Sequence, residues 1–420
     1  MNTLERQVLD AIDVEAMLSF LCRLIAVRSL DGEETAAQEL VAEQMERSGL
    51  AVDLWELDFA ALSQHPAYSV EVQRQAGLGL VGAMGEDRGG RSLILNGHVD
   101  VVPAGDLANW SYPPWQGTLT DRRVYGRGSV DMKGGLCCAL FAAKALRDAG
   151  VELLGKLLVE SVIGEEDGGV GTLATLERGY LADGAVIMEP TELAVVTAQA
   201  GALSFRLTVP GKSAHGCVRD EGISAIEKFL PLFAALQELE HQRNSSVGHP
   251  LLGQYPLPYP LSIGTVAAGD WPSSVPSKLT CEGRYGIAMG ENPLTAQQEF
   301  KEAVQAAALA DDWLSAHPPE IEWWGGRFES AETPIDHPLV GSIEETMRDL
   351  TGAGLAIKGV TYGADMRLLV NEGQIPTVMF GPGDVRVSHG PDEFVPIDDL
   401  LLTVRSLALI AQRFCGVAES

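Results

Sequence analysis

Four stretches of the 420-residue sequence place metal-binding or proton-transferring side chains directly beside apolar residues. The first is LILNGHVDVVP, in which one residue separates His98 from Asp100. Residues i and i+2 of a strand point to the same side, so the imidazole and the carboxylate are expected to lie side by side. A carboxylate in that position can fix the tautomer and the orientation of a metal-binding imidazole. The pair alone is weak evidence, because a structural histidine beside an aspartate is at least as common at a strand end.

The other three stretches, and a later loop, add acids and a second imidazole. One acidic strand end would be a helix cap or a solvated turn, but several would repel one another. A bound divalent cation removes that repulsion and prefers carboxylate ligands. The residues are Asp131 in GRGSVDMKGG, Glu165, Glu166 and Asp167 in VIGEEDGG, Glu189 in VIMEP, and His389 in VSHGPDEFVP.

The segments that carry these residues alternate between strand and helix patterns. Apolar runs such as SLILNGHVDVV and KLLVESVIG read as strands, and GGLCCALFAAKALRDAG reads as a helix. This alternation predicts an α/β fold with a mostly parallel sheet between helices. Ligands bind such sheets at the carboxyl ends of the strands. The candidate residues therefore stand where a site is expected.

The pattern changes between residues 199 and 325. Strand and helix patterns follow there in the order βαββαβ, which is typical of a ferredoxin-like α+β domain with two helices on one face of an antiparallel sheet. The α/β pattern resumes after residue 326. We therefore expect a catalytic domain formed by 1–198 and 326–420, with an inserted domain at 199–325.

The composition argues against several classes of partner. The chain has 30 Lys and Arg against 58 Asp and Glu, a formal charge of -28, which disfavours nucleic acid and anionic membranes. The N-terminus lacks the pattern of a secretory leader, and no apolar run reaches the roughly 18 residues of a membrane span. These features predict a cytoplasmic protein. Its six cysteines lack metal-binding spacing and are expected to be free thiols.

The motifs GHVDVVP, GRGSVDMKGG, GEED, MEP and SHGPDEFVP, in this order, resemble the M20-type metallopeptidase family. That family contains acetylornithine deacetylase, succinyl-diaminopimelate desuccinylase, aminoacylase and glutamate carboxypeptidase. The resemblance covers nearly the whole chain and implies a zinc-peptidase-like catalytic domain with two Zn²⁺ per chain, for which Co²⁺ or Mn²⁺ can substitute. It also implies a cis peptide between Asp131 and Met132. The implied roles are His98 and Glu189 on one zinc, Glu166 and His389 on the other, Asp131 bridging both, Asp100 orienting His98, and Glu165 as general base.

The resemblance assigns two further roles in the inserted domain. His215 in VPGKSAHG would cross a dimer contact and stabilise the oxyanion in the partner's active site. Arg284 in KLTCEGRYGI would bind a substrate carboxylate, which suits the bidentate geometry of arginine. Without the resemblance, His215 reads as an ordinary surface residue. A surface salt bridge remains the alternative for Arg284.

Two segments depart from the family pattern and leave the substrate open. WPSSVPSK places Ser273 or Ser274 where many members carry an asparagine that contacts substrate. TYGADMRLL replaces a Gly-Thr-Ser-Asp-type segment, which makes Gly363, Asp365 and Arg367 candidates for lining the pocket.

The sequence thus predicts an amidohydrolase that cleaves an N-acyl amino acid or a related small amide through a zinc-bridging water activated by Glu165. It is expected to be a homodimer through residues 199–325. A dipeptidase or carboxypeptidase of the same family is the near alternative. A non-catalytic metal-binding or regulatory protein is the alternative of another class, against which the presence of Glu165 argues.

Overall fold

The computed structural model describes residues 1–418. The helices are Thr3–Asp10 (α1), Val14–Ala26 (α2), Thr35–Arg47 (α3), Phe59–Leu62 (α4), Gly134–Asp148 (α5), Val170–Glu177 (α6), Ala225–Asn244 (α7), Pro293–Leu309 (α8), Asp312–Ala316 (α9), Pro338–Thr351 (α10) and Ile397–Cys415 (α11). The strands are Ala51–Glu56 (β1), Leu78–Met84 (β2), Leu93–His98 (β3), Thr118–Thr120 (β4), Arg123–Tyr125 (β5), Leu157–Val162 (β6), Ala185–Ile187 (β7), Val195–Gln199 (β8), Gly201–Pro210 (β9), Leu261–Ala268 (β10), Lys278–Ile287 (β11), Glu320–Phe328 (β12), Ala331–Glu332 (β13), Ile357–Val360 (β14), Thr377–Met379 (β15) and Phe394–Pro396 (β16).

The chain divides into two compact units. The first contains Met1–Ala198, Glu332–Lys358 and the C-terminal part from Ala364. The second contains Gln199–Ala331 and Gly359–Gly363. Each unit has its own sheet and its own apolar core. Assigning them to a catalytic domain and an inserted lid or dimerisation domain stays a prediction.

The large sheet of the first unit is parallel at its centre. Its strand order is β1-β2-β6-β3-β7-β15-β8-β13. The four central strands, β6, β3, β7 and β15, run parallel, whereas β1, β2 and β8 join it in antiparallel pairs. The predicted α/β fold class is confirmed. Sequence patterns missed β1 and β2, and also the small sheet β16-β5-β4, whose strands have three residues each.

Helix α5 lies in the core of the first unit. Twelve of its 15 residues are buried, as a helix covered on every side requires. The start of α5 lies very close to the end of β7. A Cβ atom at Gly135 would lie only 2.3 Å from the Met188 carbonyl oxygen. Only glycine permits this approach, which brings the segment before α5 next to the segment after β7.

The second unit is a four-stranded antiparallel sheet with the order β10-β11-β9-β12. Along the chain its elements follow β9, α7, β10, β11, α8, α9 and β12, which contains the predicted βαββαβ order. An aromatic group joins sheet and helix: the Phe300 ring of α8 lies 4.6 Å from Phe205 and 5.3 Å from Tyr285.

None of the helices formed by residues 1–418 combines the length and apolar character needed to cross a membrane.

Candidate metal centre

The register of the parallel strands brings three of the predicted residues to one edge of the sheet. His98 is level with Val162, the last residue of β6, so the loop that follows β6 starts beside the imidazole. Asn96 is level with Ile187 of β7. Continuing both strands by two residues places Glu189 level with His98. Sequence alone could not give this register, although it correctly predicted the strand ends.

His98 stands among three carboxylates. Its Nε2 atom lies 3.2 Å from Asp131 Oδ1, 3.7 Å from Glu189 Oε1 and 3.9 Å from Glu165 Oε2. The imidazole has no exposed side-chain surface, and the three carboxylates are at most 11 % exposed. The peptide between Asp131 and Met132 is cis, as the resemblance implies.

His389 reaches the same cluster from the loop after β15. Its Nε2 atom is 3.1 Å from Glu166 Oε1 and 3.4 Å from Asp131 Oδ2. The two oxygens of Asp131 therefore face different imidazoles. This is the arrangement expected of a carboxylate that bridges two cations. The imidazole of His389 is half exposed, so this side of the cluster is open to solvent.

Asp100 supports the cluster with two different groups. Its main-chain oxygen lies 2.9 Å from His98 Nδ1, while its carboxylate Oδ1 lies 3.7 Å from the same nitrogen. The closer contact is thus with the carbonyl, which can fix the tautomer and orient the ring. The carboxylate Oδ2 accepts a hydrogen bond of 3.0 Å from the main-chain N–H of Glu166. Asp100 therefore holds both a histidine and the glutamate loop.

The cluster contains more negative charge than its two imidazoles can balance. Burial raises the pKa of the Glu165 carboxyl well above its ordinary value, and the charge of Glu189 raises it further. Burial likewise raises the pKa of Glu189, followed by the charge of Asp131. Hydrogen bonds to Asp131 and Glu166 raise the pKa of His389 to about 10. Nearby positive charge would relieve all of these shifts.

The residues fit divalent cations. The triads His98–Asp131–Glu166 and His98–Glu165–Glu189 each have one ligand atom per residue within 4.8 Å of the others. Mixed imidazole and carboxylate ligands suit zinc, and imidazole and carboxylate sites also accept other first-row divalent ions. The second triad contains Glu165, so geometry allows it to act as a ligand or as a base. Zinc as the metal and two ions per chain stay predictions.

A buried ion pair connects the loops of Asp131 and His389. Arg127 Nη1 lies 2.5 Å from Glu393 Oε2, and both side chains are at most 2 % exposed. The other oxygen of Glu393 accepts hydrogen bonds from the main-chain N–H groups of Val130, at 3.1 Å, and Asp131, at 3.3 Å. The sequence motifs contain this pair, but nothing in their spacing indicates that the two side chains meet.

The second unit brings two predicted residues together. His215 and Ser274 form an isolated antiparallel bridge. His215 is exposed, and its Nδ1 atom accepts a hydrogen bond of 3.2 Å from the main-chain N–H of Cys217. Arg284 is partly buried and donates a hydrogen bond of 2.8 Å from Nη2 to the Thr361 carbonyl.

Three residues of the TYGADMRLL segment pack against or hydrogen-bond to neighbouring parts of the protein. A Cβ atom at Gly363 would lie 2.4 Å from the Phe328 side chain, so this position excludes a larger residue. Asp365 and Arg367 have no exposed surface. They cannot touch a ligand and instead contact neighbouring elements: Asp365 accepts a 2.5 Å hydrogen bond from Thr172, and Arg367 donates one to the Gly168 carbonyl. The expectation that these two line a pocket is therefore wrong.

Comparison with known proteins settles the family. The model of Peptidase family M20/M25/M40 matches residues 94–413, about three quarters of the chain. The chain belongs to this family. The prediction of a hydrolase acting on amide bonds is confirmed with it. The matched range begins within β3 and ends within α11, so it contains every predicted metal ligand.

Two relatives and one solved structure show how far this M20 chain resembles known proteins. An N-formyl-4-amino-5-aminomethyl-2-methylpyrimidine deformylase of Halalkalibacterium halodurans is 29% identical, over 97% of this chain and 96% of the relative. A probable succinyl-diaminopimelate desuccinylase of Staphylococcus aureus is 38% identical, over 73% of this chain and 79% of the relative. The solved structure of a dipeptidase from Saccharomyces cerevisiae has a TM-score of 0.77 at 14% identity, over 98% of both chains, and supports the fold alone.

Proposed function

We propose that this M20 chain is a zinc-dependent amidohydrolase that cleaves an N-acyl amino acid or a related small amide, with Glu165 as general base. The observation that carries the proposal is the cluster of two histidines and four carboxylates beside the carboxyl ends of the parallel strands β3, β6 and β7, in which every side chain except His389 is largely buried. His98 and Glu189 would hold one zinc, Glu166 and His389 the other, and Asp131 would bridge them. Two bound zinc ions would polarise the scissile carbonyl and acidify an attacking water.

Glu165 supplies the proton transfers in this proposal. Consecutive side chains cannot point at one atom in the same way, so Glu166 can bind metal while Glu165 receives a proton from the attacking water. It then returns the proton to the leaving nitrogen, which completes the cleavage of the C–N bond.

His215 is proposed to donate a hydrogen bond to the oxyanion of the tetrahedral intermediate, from a second copy of the chain. The homodimer is supported by apolar side chains on one side of α7. Ile226, Leu230 and Phe233 recur at helical spacing and are 45%, 59% and 37% exposed. Val266 on the edge strand β10 is also exposed. Exposed apolar patches of this kind often mark protein–protein interaction sites.

Arg284 is proposed to bind the carboxylate of the substrate. Burial lowers the pKa of this guanidinium, yet arginine stays charged in proteins. A partly desolvated arginine that is bonded to a main-chain carbonyl is well placed to gain an anionic partner. This supports N-acyl amino acids as the substrate class, with Ser274 beside His215 as a further polar contact.

A second candidate is hydrolysis of an N-formyl aminomethylpyrimidine. It is favoured by the near full-length match to the deformylase, whereas the desuccinylase match covers 73% of this chain. Such a substrate has no carboxylate, so it would not need Arg284. The dipeptidase and carboxypeptidase alternatives have support from fold alone.

The test combines metal content with a substrate panel. Elemental analysis of the purified chain should give about two zinc ions, and N-acetyl, N-succinyl and N-formyl amino acids should be assayed beside dipeptides and N-formyl-4-amino-5-aminomethyl-2-methylpyrimidine. Turnover of one acyl class supports the proposal and identifies its substrate. Metal binding without turnover of any amide favours the non-catalytic alternative, and a chain that binds no metal contradicts the proposal.

A further inference from the structure

Arg74 is a buried arginine outside every motif of the metal centre. It lies in an irregular segment between α4 and β2, and its side chain is 1% exposed. Nη1 donates to Asp167 Oδ2 at 2.7 Å, and Nε and Nη2 donate to Glu34 Oε1 at 3.0 and 2.7 Å. Nη2 also donates to Asp31 Oδ1 at 2.9 Å. One guanidinium thus joins three carboxylates from two distant segments.

Asp167 belongs to the loop that carries Glu165 and Glu166. Its carboxylate also accepts a hydrogen bond of 2.9 Å from the Val72 N–H, and its carbonyl accepts one of 3.2 Å from the Glu71 N–H. The segment around Arg74 therefore binds the loop through both side chain and backbone. The two segments approach each other closely: a Cβ atom at Gly168 would lie only 2.0 Å from the Ser69 carbonyl oxygen.

A second buried arginine holds the same loop at the next residue. Arg367 Nη2 donates a hydrogen bond of 2.6 Å to the Gly168 carbonyl. Within the loop, the Gly168 N–H bonds to the Glu165 carbonyl at 3.1 Å. The backbone of Glu165 is therefore connected to Arg367 through Gly168, which bonds to Glu165 with its N–H and to Arg367 with its carbonyl, and to Arg74 through Asp167.

The other carboxylates of the network stand on the polar break between α2 and α3. Glu34 immediately precedes α3 and is 2% exposed on its side chain. Asp31 lies in the same break and is 18% exposed. Arg74 thus ties the glutamate loop to the start of a helix, which is a rigid support. Removing the guanidinium would leave buried carboxylates without their partner and release the loop.

We propose that Arg74 is a positioning residue for Glu165, acting through Asp167 to fix the loop that carries the general base. The inference rests on the proposed role of Glu165. A base displaced by about 1 Å can cost about 100-fold in rate, so loss of the clamp should appear in turnover more than in substrate binding. Glu166 lies in the same loop, but its N–H bonds to Asp100 and its carboxylate contacts His389, so metal content should survive the loss of Arg74.

The experiment compares Arg74→Gln, Arg74→Lys and the control Arg413→Gln. Arg413 also bonds two carboxylates of the first unit, Glu5 and Asp349, but it does not contact the loop. We expect Arg74→Gln to speed amide hydrogen exchange at residues 164–169 by about 10-fold or more and to lower kcat by roughly 10- to 100-fold. For Arg74→Gln, KM should stay within about twofold of wild type and metal content should be unchanged. Arg74→Lys should recover part of kcat. Arg413→Gln should resemble wild type.

The inference is overturned if amide hydrogen exchange at residues 164–169 of Arg74→Gln equals that of wild type. It is also overturned if the loss of kcat is explained by loss of metal alone. If Arg74→Gln does not fold, Asp167→Asn replaces it, since this change keeps the size of the side chain and leaves Arg74 bonded to Glu34. The same exchange and kcat criteria apply. Failure of the proposed function shows separately, as undiminished turnover of Glu165→Gln, because the exchange measurement does not depend on the chemistry of Glu165.

Discussion

Replacing Glu165 by glutamine tests the proposed reaction most directly. The two side chains have nearly the same size, and Glu165 is 7% exposed, so the substitution should leave the packing of the loop unchanged. Glutamine cannot accept a proton from water. We therefore expect Glu165→Gln to fold, to bind metal and to lose turnover.

The expected loss follows from general base catalysis and from the charge of the cluster. A positioned base contributes about 10²- to 10⁴-fold, or roughly 2.7–5.4 kcal/mol at about 1.36 kcal/mol per factor of ten. Metal binding should change far less. Five carboxylates, those of Asp100, Asp131, Glu165, Glu166 and Glu189, would face about four positive charges from two divalent ions, so losing one carboxylate leaves the site near neutrality.

The assay measures kcat on the preferred substrate of the panel together with metal content per chain. Glu46→Gln, an exposed change on α3, is the matched control and should behave like wild type. Turnover of Glu165→Gln within a factor of a few of wild type would refute the role of base. Because Glu165 also belongs to the triad with His98 and Glu189, loss of one metal equivalent would instead identify it as a ligand.

Three further predictions concern the oxyanion, the substrate and the metal. His215→Ala should lower kcat by about 10²- to 10³-fold at unchanged metal content, with the exposed His241→Ala as control, and unchanged kinetics would remove His215 from the reaction. Arg284→Gln should raise KM for N-acyl amino acids by roughly 10-fold or more but not for the formylated pyrimidine, which has no carboxylate; an equal effect on both would contradict carboxylate binding. Metal removal by a chelator should lower Tm, because the buried carboxylates then repel one another, and added zinc should restore it; a Tm that does not respond would show that the cluster binds no ion.

The sequence predicts residues that the structure brings together, because most of them follow a local signal. His98, Asp131, Glu166 and Glu189 stand at or just beyond strand ends or beside helix starts, and the parallel strands bring those positions to one edge. His389 is further from its strand, and its assignment depended on the family resemblance. The structure adds the register, which makes Glu189 level with His98, and the two-sided contact of Asp131.

The parts that sequence could not predict depend on long-range contacts. Arg74 lies in a segment without regular secondary structure, and its partner Asp167 is 93 residues away. Asp365 and Arg367 were candidates for the pocket because their segment replaces a Gly-Thr-Ser-Asp-type segment of the family pattern. Their partners Thr172 and Gly168 lie 193 and 199 residues away along the chain and were not visible in the sequence. Strand β1 was missed because it has no fully buried residue.

Two buried arginines near the cluster bind carboxylates that are close in sequence to the proposed ligands, and not the proposed ligands themselves. Arg74 bonds to Asp167, the residue after Glu166, and Arg127 bonds to Glu393, four residues after His389. Each guanidinium therefore contacts a loop that carries a proposed ligand, without forming an ion pair with the proposed ligand's own side chain. Because the arginines pair with neighbouring carboxylates, the charge of the clustered carboxylates stays unbalanced within the protein, and a bound cation would balance it.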